Sequence, residues 1–136
     1  MSYIEKMKEA KKGPTIPELV VELMEASTKL HVLHLRVTGA GSYAAHKTLN
    51  EIYDALPGHA DTIAEGYQGV TGKIMEYPEV TVKPIKTVAD AITYLQGLYS
   101  KITAVQKECE FSEIVNDLDT IKSTINSGVY KLKFLS

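Results

Sequence analysis

The sequence predicts an all-α fold, a four-helix bundle with one longer connection between its second and third helices. Three observations carry that expectation. Apolar residues recur at i, i+3, i+4 and i+7 along most of the chain. The pattern stops at "TGAG", at "TGKIMEYPEVTVKP" and again near residues 108–111. The 136 residues suffice for one domain and not for two comfortable ones.

Residues 1–13 alternate Lys with Glu and read as a polar tail ahead of a bundle over residues 14–136. The first helix is expected over "TIPELVVELMEASTKLHVLHLRV". Thr15 and Glu18 have capping-box spacing, and Pro17 is tolerated in a first turn. Ile16, Leu19, Leu23, Leu30, Leu33 and Val37 form its apolar stripe. Gly39 and Gly41 end it. The second helix is expected from Ser42, as a cap, to about residue 70, with Leu49, Ile52, Tyr53, Leu56, Ile63 and Tyr67 inward. Pro57-Gly58 lies inside it, and a proline there is expected to kink the helix at about 3 kcal/mol unless compensated. Pro78 and Pro84 forbid helix between them, and "VTV" is locally extended. The third helix is expected from Thr87, with Asp90 three residues on, to about Lys107. The fourth starts near Ser112 and runs close to the end. Two short outer connections and one longer middle one describe such a bundle.

Composition narrows the function classes. The chain is 44% hydrophobic and 24% charged, so it reads as globular. A net charge of -2 gives no general pull toward nucleic acid. The single cysteine, Cys109, precludes an intramolecular disulfide and suits a reducing compartment. The start "MSYIEKMKEAKK" has no apolar core of a secretory signal, and no apolar run is long enough for a bilayer. A cytoplasmic protein with no membrane contact is expected.

The chemistry-bearing residues lie between 34 and 65. His34 and His46 bracket a glycine-rich turn, and Asp61 and Glu65 stand four apart further on. On a wheel of about 100° per residue, His46 at zero puts position 50 near 40°, Asp61 near 60° and Glu65 near 100°. They share one face. Yet His46 and Asp61 are ~22 Å apart along the axis, so one helix cannot gather both onto one ion. Either these are unrelated surface residues, or two copies of the helix pack antiparallel about a two-fold near Asp54 and Ala55. The second arrangement sets His46 of one copy against Asp61 and Glu65 of the other. His34 would approach His46 across the short turn.

The run "HLRVTGAGSYAAH", then Asn50, then "HADTIAE" resembles the Dps family, the DNA-binding proteins from starved cells, which are mini-ferritins. In that family a histidine is followed twelve residues later by a second, a carboxylate comes four after that, and an "AxDxxAE"-like run follows on the same helix. The spacing is kept without a gap. The resemblance implies a ferritin-like four-helix subunit with one longer crossover between helices 2 and 3. It also implies a dodecamer built from two-fold dimers, with iron-oxidising sites at the two-fold interfaces. Such a protein stores and detoxifies iron and protects against peroxide. The carried-over ligands are His34 and His46 from one subunit with Asp61 and Glu65 from the other. Imidazole holds Fe2+ and hard carboxylate oxygen stabilises Fe3+; Zn2+ or Mn2+ would suit the same donors. No Glu-x-x-His pair occurs in the chain, unlike the ordinary ferritin di-iron centre.

Three departures stand out. Asn50 replaces the family's carboxylate and offers an amide oxygen without charge. Gly66 stands where Arg is usual, and Leu35 where Trp is common. The implied alternative is a ferritin-like cage or dimer whose metal centre has degenerated and whose role is structural or DNA-associated. His31 and His59 read as surface or packing residues. Lys6, Lys8, Lys11 and Lys12 are the candidate DNA contacts, each salt-sensitive and sequence-blind, and would make the protein nucleoid-associated.

Overall fold

The computed structural model describes residues 13–135. The tail lysines Lys6, Lys8, Lys11 and Lys12 lie outside the described residues. Among those described, the fold is all-helical: α1 (Ile16–Arg36), α2 (Ser42–Thr71), α3 (Val88–Glu108) and α4 (Ser112–Phe134).

Local chemistry sets most of the ends. Thr15 caps α1: its Oγ1 accepts the Glu18 N–H at 3.4 Å and donates to the Glu18 carboxylate at 2.9 Å. Pro17 sits in the first turn, where its missing N–H costs nothing. Thr87 caps α3 in the same way, accepting the Asp90 N–H at 3.1 Å. Ser42, expected as a cap, is instead the first helical residue of α2. The cap position belongs to Gly41, whose φ of 78° places it in the left-handed region that favours glycine.

Each helix packs on two others: α1 on α2 and α3, and α4 on α2 and α3. The turn at 37–41 folds α2 back antiparallel to α1. Residues 73–86 carry no helix. The Thr81 N–H donates to the Glu25 carboxylate midway along α1. Lys86 and Thr87 then lie across a cleft from Arg36 and Ser42. The segment thus meets α1 near its middle, and α3 begins beside the end of α1. α4 runs antiparallel to α2: Lys131 pairs with Glu51 at 2.7 Å, and Gly66 faces Ile114.

One face of every helix fills the core. Leu23, Leu30 and Leu33 from α1, Leu49, Leu56 and Ile63 from α2, Leu95 and Ile102 from α3, and Leu118 and Ile121 from α4 are fully buried. Gly128 is buried against Ile52, which brings α4 close to α2.

α2 runs without a break through Pro57. The proline has no N–H for the carbonyl of Tyr53, four residues back. The Ser27 hydroxyl, from α1, donates to that carbonyl at 2.8 Å. A neighbouring helix thus supplies the bond that the proline withholds.

Candidate functional site

His34 lies in the last turn of α1 and His46 near the start of α2. The short turn between them brings the two together. His34 Nδ1 donates to the backbone carbonyl of His46 at 2.7 Å, and His46 Nδ1 donates to that of His34 at 2.9 Å. A carbonyl only accepts, so the hydrogen of each neutral ring sits on Nδ1 and the lone pair on Nε2. The rings are stacked, with centroids 3.5 Å apart and planes 19° from parallel. The His34 carbonyl belongs to the last turn of α1, where helical donors run out, so the His46 bond also caps that helix.

His34 is only 8% exposed, and His46 is half-buried. Among the described residues no buried polar side-chain atom lacks a partner. The two Nε2 atoms, without partners there, are therefore reached by solvent. A histidine whose Nδ1–H is anchored on a carbonyl and whose Nε2 is free has the arrangement that holds a metal-ligating imidazole.

Around the pair sits an aromatic stack. The Tyr53 ring lies on His31, centroids 4.0 Å apart and 9° from parallel, and meets His34 edge-on at 5.2 Å. His31, read from the sequence as a surface or packing residue, is exposed but belongs to this stack. The signal was present: His31 and His34 are three apart on one helix, and Tyr53 is seven beyond His46 on the other.

Asn50 is the candidate whose chemistry the structure defines most tightly. Its Oδ1 accepts the Tyr53 hydroxyl at 2.5 Å, and its amide donates to Asp54 Oδ2 at 2.8 Å. Both ends of the side chain are engaged. It fits a polar link between Tyr53 and Asp54 better than it fits a free ligand.

Asp61 and Glu65 are exposed on α2, and neither has a hydrogen bond or ion pair among the described residues. They stand well over 10 Å along the helix from His46. Within one chain the described residues contain no group of three His, Cys, Asp or Glu close enough for an ion. The structure thus brings His34 and His46 together, sets Asn50 one turn away, and leaves the two carboxylates apart.

His59 lies elsewhere, between α2 and α4, with Nε2 3.3 Å from Thr124 Oγ1. Burial there holds its imidazole below the ordinary value of 6.5.

The model of a family of unknown function, DUF5856, matches residues 34–132. The chain belongs to this family. The DUF5856 match opens on His34 and takes in His46, Asn50, Asp61 and Glu65. No curated protein and no solved structure matches the chain. No helix among the described residues of this DUF5856 member is long and apolar enough to cross a membrane.

Proposed function

We propose that this chain is a Dps-like mini-ferritin that takes Fe2+ as substrate, oxidises it with hydrogen peroxide and stores the product. The observation that carries the reading is the His34–His46 pair. Two stacked imidazoles anchored through Nδ1 each leave Nε2 free and reached by solvent. The helix order supports a ferritin-like bundle, with residues 73–86 as the crossover between its second and third helices. Antiparallel packing of two α2 helices about a two-fold near Asp54 would bring Asp61 and Glu65 of a second copy to each histidine pair. These carboxylates have no other partner among the described residues, so no described residue competes for them. The assembly would be a dodecamer of such dimers, cytoplasmic, with Lys6, Lys8, Lys11 and Lys12 as its DNA contacts.

The donor set fits iron in part. Imidazole and carboxylate suit Fe2+ and Fe3+, and would also accept Zn2+ or Mn2+. Asn50 does not fit the role of a charged ligand, because its amide is tied to Tyr53 and Asp54. That same observation favours a second reading: a ferritin-like cage or dimer with a degenerate centre and a structural or DNA-associated role.

Anaerobic Fe2+ titration of the purified assembly, followed by hydrogen peroxide and ultraviolet absorbance, separates the two. Saturable binding and fast oxidation, both lost in the His46→Ala/Asp61→Ala variant, support the ferroxidase. No saturable binding, or an oxidation rate unchanged in that variant, sinks it and leaves the structural reading.

A further inference from the structure

The segment between α2 and α3 has a pattern that its role as a connection does not require. About Thr81 as centre, "EYPEVTVKPIK" mirrors itself with its charges inverted. Val80 mirrors Val82, Glu79 mirrors Lys83, Pro78 mirrors Pro84, and Glu76 mirrors Lys86. A segment with that symmetry is complementary to its own antiparallel copy.

The structure leaves it free to meet one. From residue 74 to residue 86 the backbone has neither helix, turn nor bend. Among the described residues it makes no backbone–backbone hydrogen bond. Val80 is 61% exposed and Val82 is 41% exposed. Glu76, Glu79, Lys83 and Lys86 are all exposed, and none forms an ion pair or hydrogen bond among the described residues. Unpaired extended backbone with exposed β-branched side chains is an open strand edge.

We propose that this segment pairs with the same segment of a second copy of the chain, as a short two-fold antiparallel ladder centred on Thr81. The edge is already assigned. In an extended strand the N–H and C=O of one residue point to one side, and those of its neighbours point to the other. Thr81 spends its N–H on Glu25 of its own α1. Val80 and Val82 therefore offer their backbone groups to the opposite edge. There Val80 exchanges both bonds with Val82 of the second copy, and Val82 with its Val80. The next positions on that edge are Pro78 and Pro84, which have no N–H, so the ladder closes at both ends. Glu79 then lies across from Lys83 of the second copy, twice by symmetry, and Thr81 faces Thr81 on the axis. Charge complementarity selects the antiparallel register, because a parallel one would set Glu on Glu and Lys on Lys. This interface needs no metal and stands apart from the iron reading.

The test uses the full chain and sedimentation equilibrium. Glu79→Lys alone, or Lys83→Glu alone, turns two attractive cross-strand pairs repulsive. Each is expected to weaken self-association about tenfold. An equimolar mixture of the two variants restores every pair across a heterodimer and is expected to recover wild-type association. In a Cys109→Ser background, Thr81→Cys is expected to crosslink on mild oxidation, since non-hydrogen-bonded pairs have Cα atoms about 4.5 Å apart. Val80→Cys, which faces a different residue, is not. A monomeric wild type, association unchanged in both charge variants, or crosslinking no faster at position 81 than at 80 overturns the proposal.

Discussion

The Ser27 hydroxyl and the Tyr53 carbonyl, 2.8 Å apart, close the gap that Pro57 opens in α2. The bond joins two helices at the level of the aromatic stack, because the ring of the same Tyr53 lies on His31 and against His34.

Ser27→Ala strands a carbonyl in a half-buried position and is expected to cost about 1–2 kcal/mol. In a Pro57→Ala background the helix regains its own donor. The cost of Ser27→Ala should then fall below about 0.5 kcal/mol. Urea unfolding of the four proteins of this double-mutant cycle measures the coupling. Equal costs in both backgrounds would show that the hydroxyl does not serve the proline.

Gly128→Ala drives a new Cβ into Cδ1 and Cγ1 of Ile52, which is itself buried in the core. Overpacking of this kind costs about 1–3 kcal/mol. Ile52→Val removes Cδ1, so the double variant should recover part of that loss. Thermal unfolding of the single and double variants checks it.

Alkaline stability should depend on Tyr94. Burial, followed by the charges of Glu22 and Glu25, pushes its hydroxyl well above the ordinary 10.0. Above that pH the unfolded chain loses the Tyr94 proton while the folded chain keeps it. The Tyr94 contribution to stability is therefore full below pH 10 and is lost as the pH rises beyond it. Tyr94→Phe should flatten this fall in urea midpoints measured from about pH 8 to about pH 11. An equally steep fall in the variant would assign it to other groups.

His59 works in the opposite direction. Its imidazole is held below the ordinary 6.5 by burial, so below that value the unfolded chain binds a proton that the folded chain resists. Stability should drop as pH falls through 6.5 and into the acid range. His59→Gln is expected to shallow that drop in the same unfolding assay.

On the proposed iron reading, Asn50→Asp should raise metal affinity at the cost of stability without metal. The new carboxylate can no longer donate to Asp54 and faces it one turn away. Melting temperature with and without Co2+ separates the effects: a lower value for the metal-free variant, and a larger upward shift on adding metal than in the wild type. An unchanged metal shift would place position 50 outside the proposed site.

The helices, and where several of them begin, are legible in local sequence pattern. Thr15 and Thr87 were readable as caps because a cap is a bond between a side chain and backbone three residues away. The nearness of His34 and His46 was readable for a related reason: two helices joined by a short glycine turn must fold back together. The exchange of Ser42 for Gly41 at the start of α2 is a shift of one residue, settled by the left-handed backbone of Gly41.

What those side chains do depends on how the helices pack. No local pattern shows that each imidazole bonds the other's carbonyl, which fixes the free nitrogen as Nε2 in both. Nor does one show that Asn50 is held between Tyr53 and Asp54. Pro57 is the sharpest case. Its cost is local and visible in the sequence, while the Ser27 hydroxyl that offsets it comes from another helix, thirty positions earlier in the chain. Helical periodicity reports which face of a helix turns inward. It carries no information about which atom of a neighbouring helix waits there, and that depends on how the helices pack.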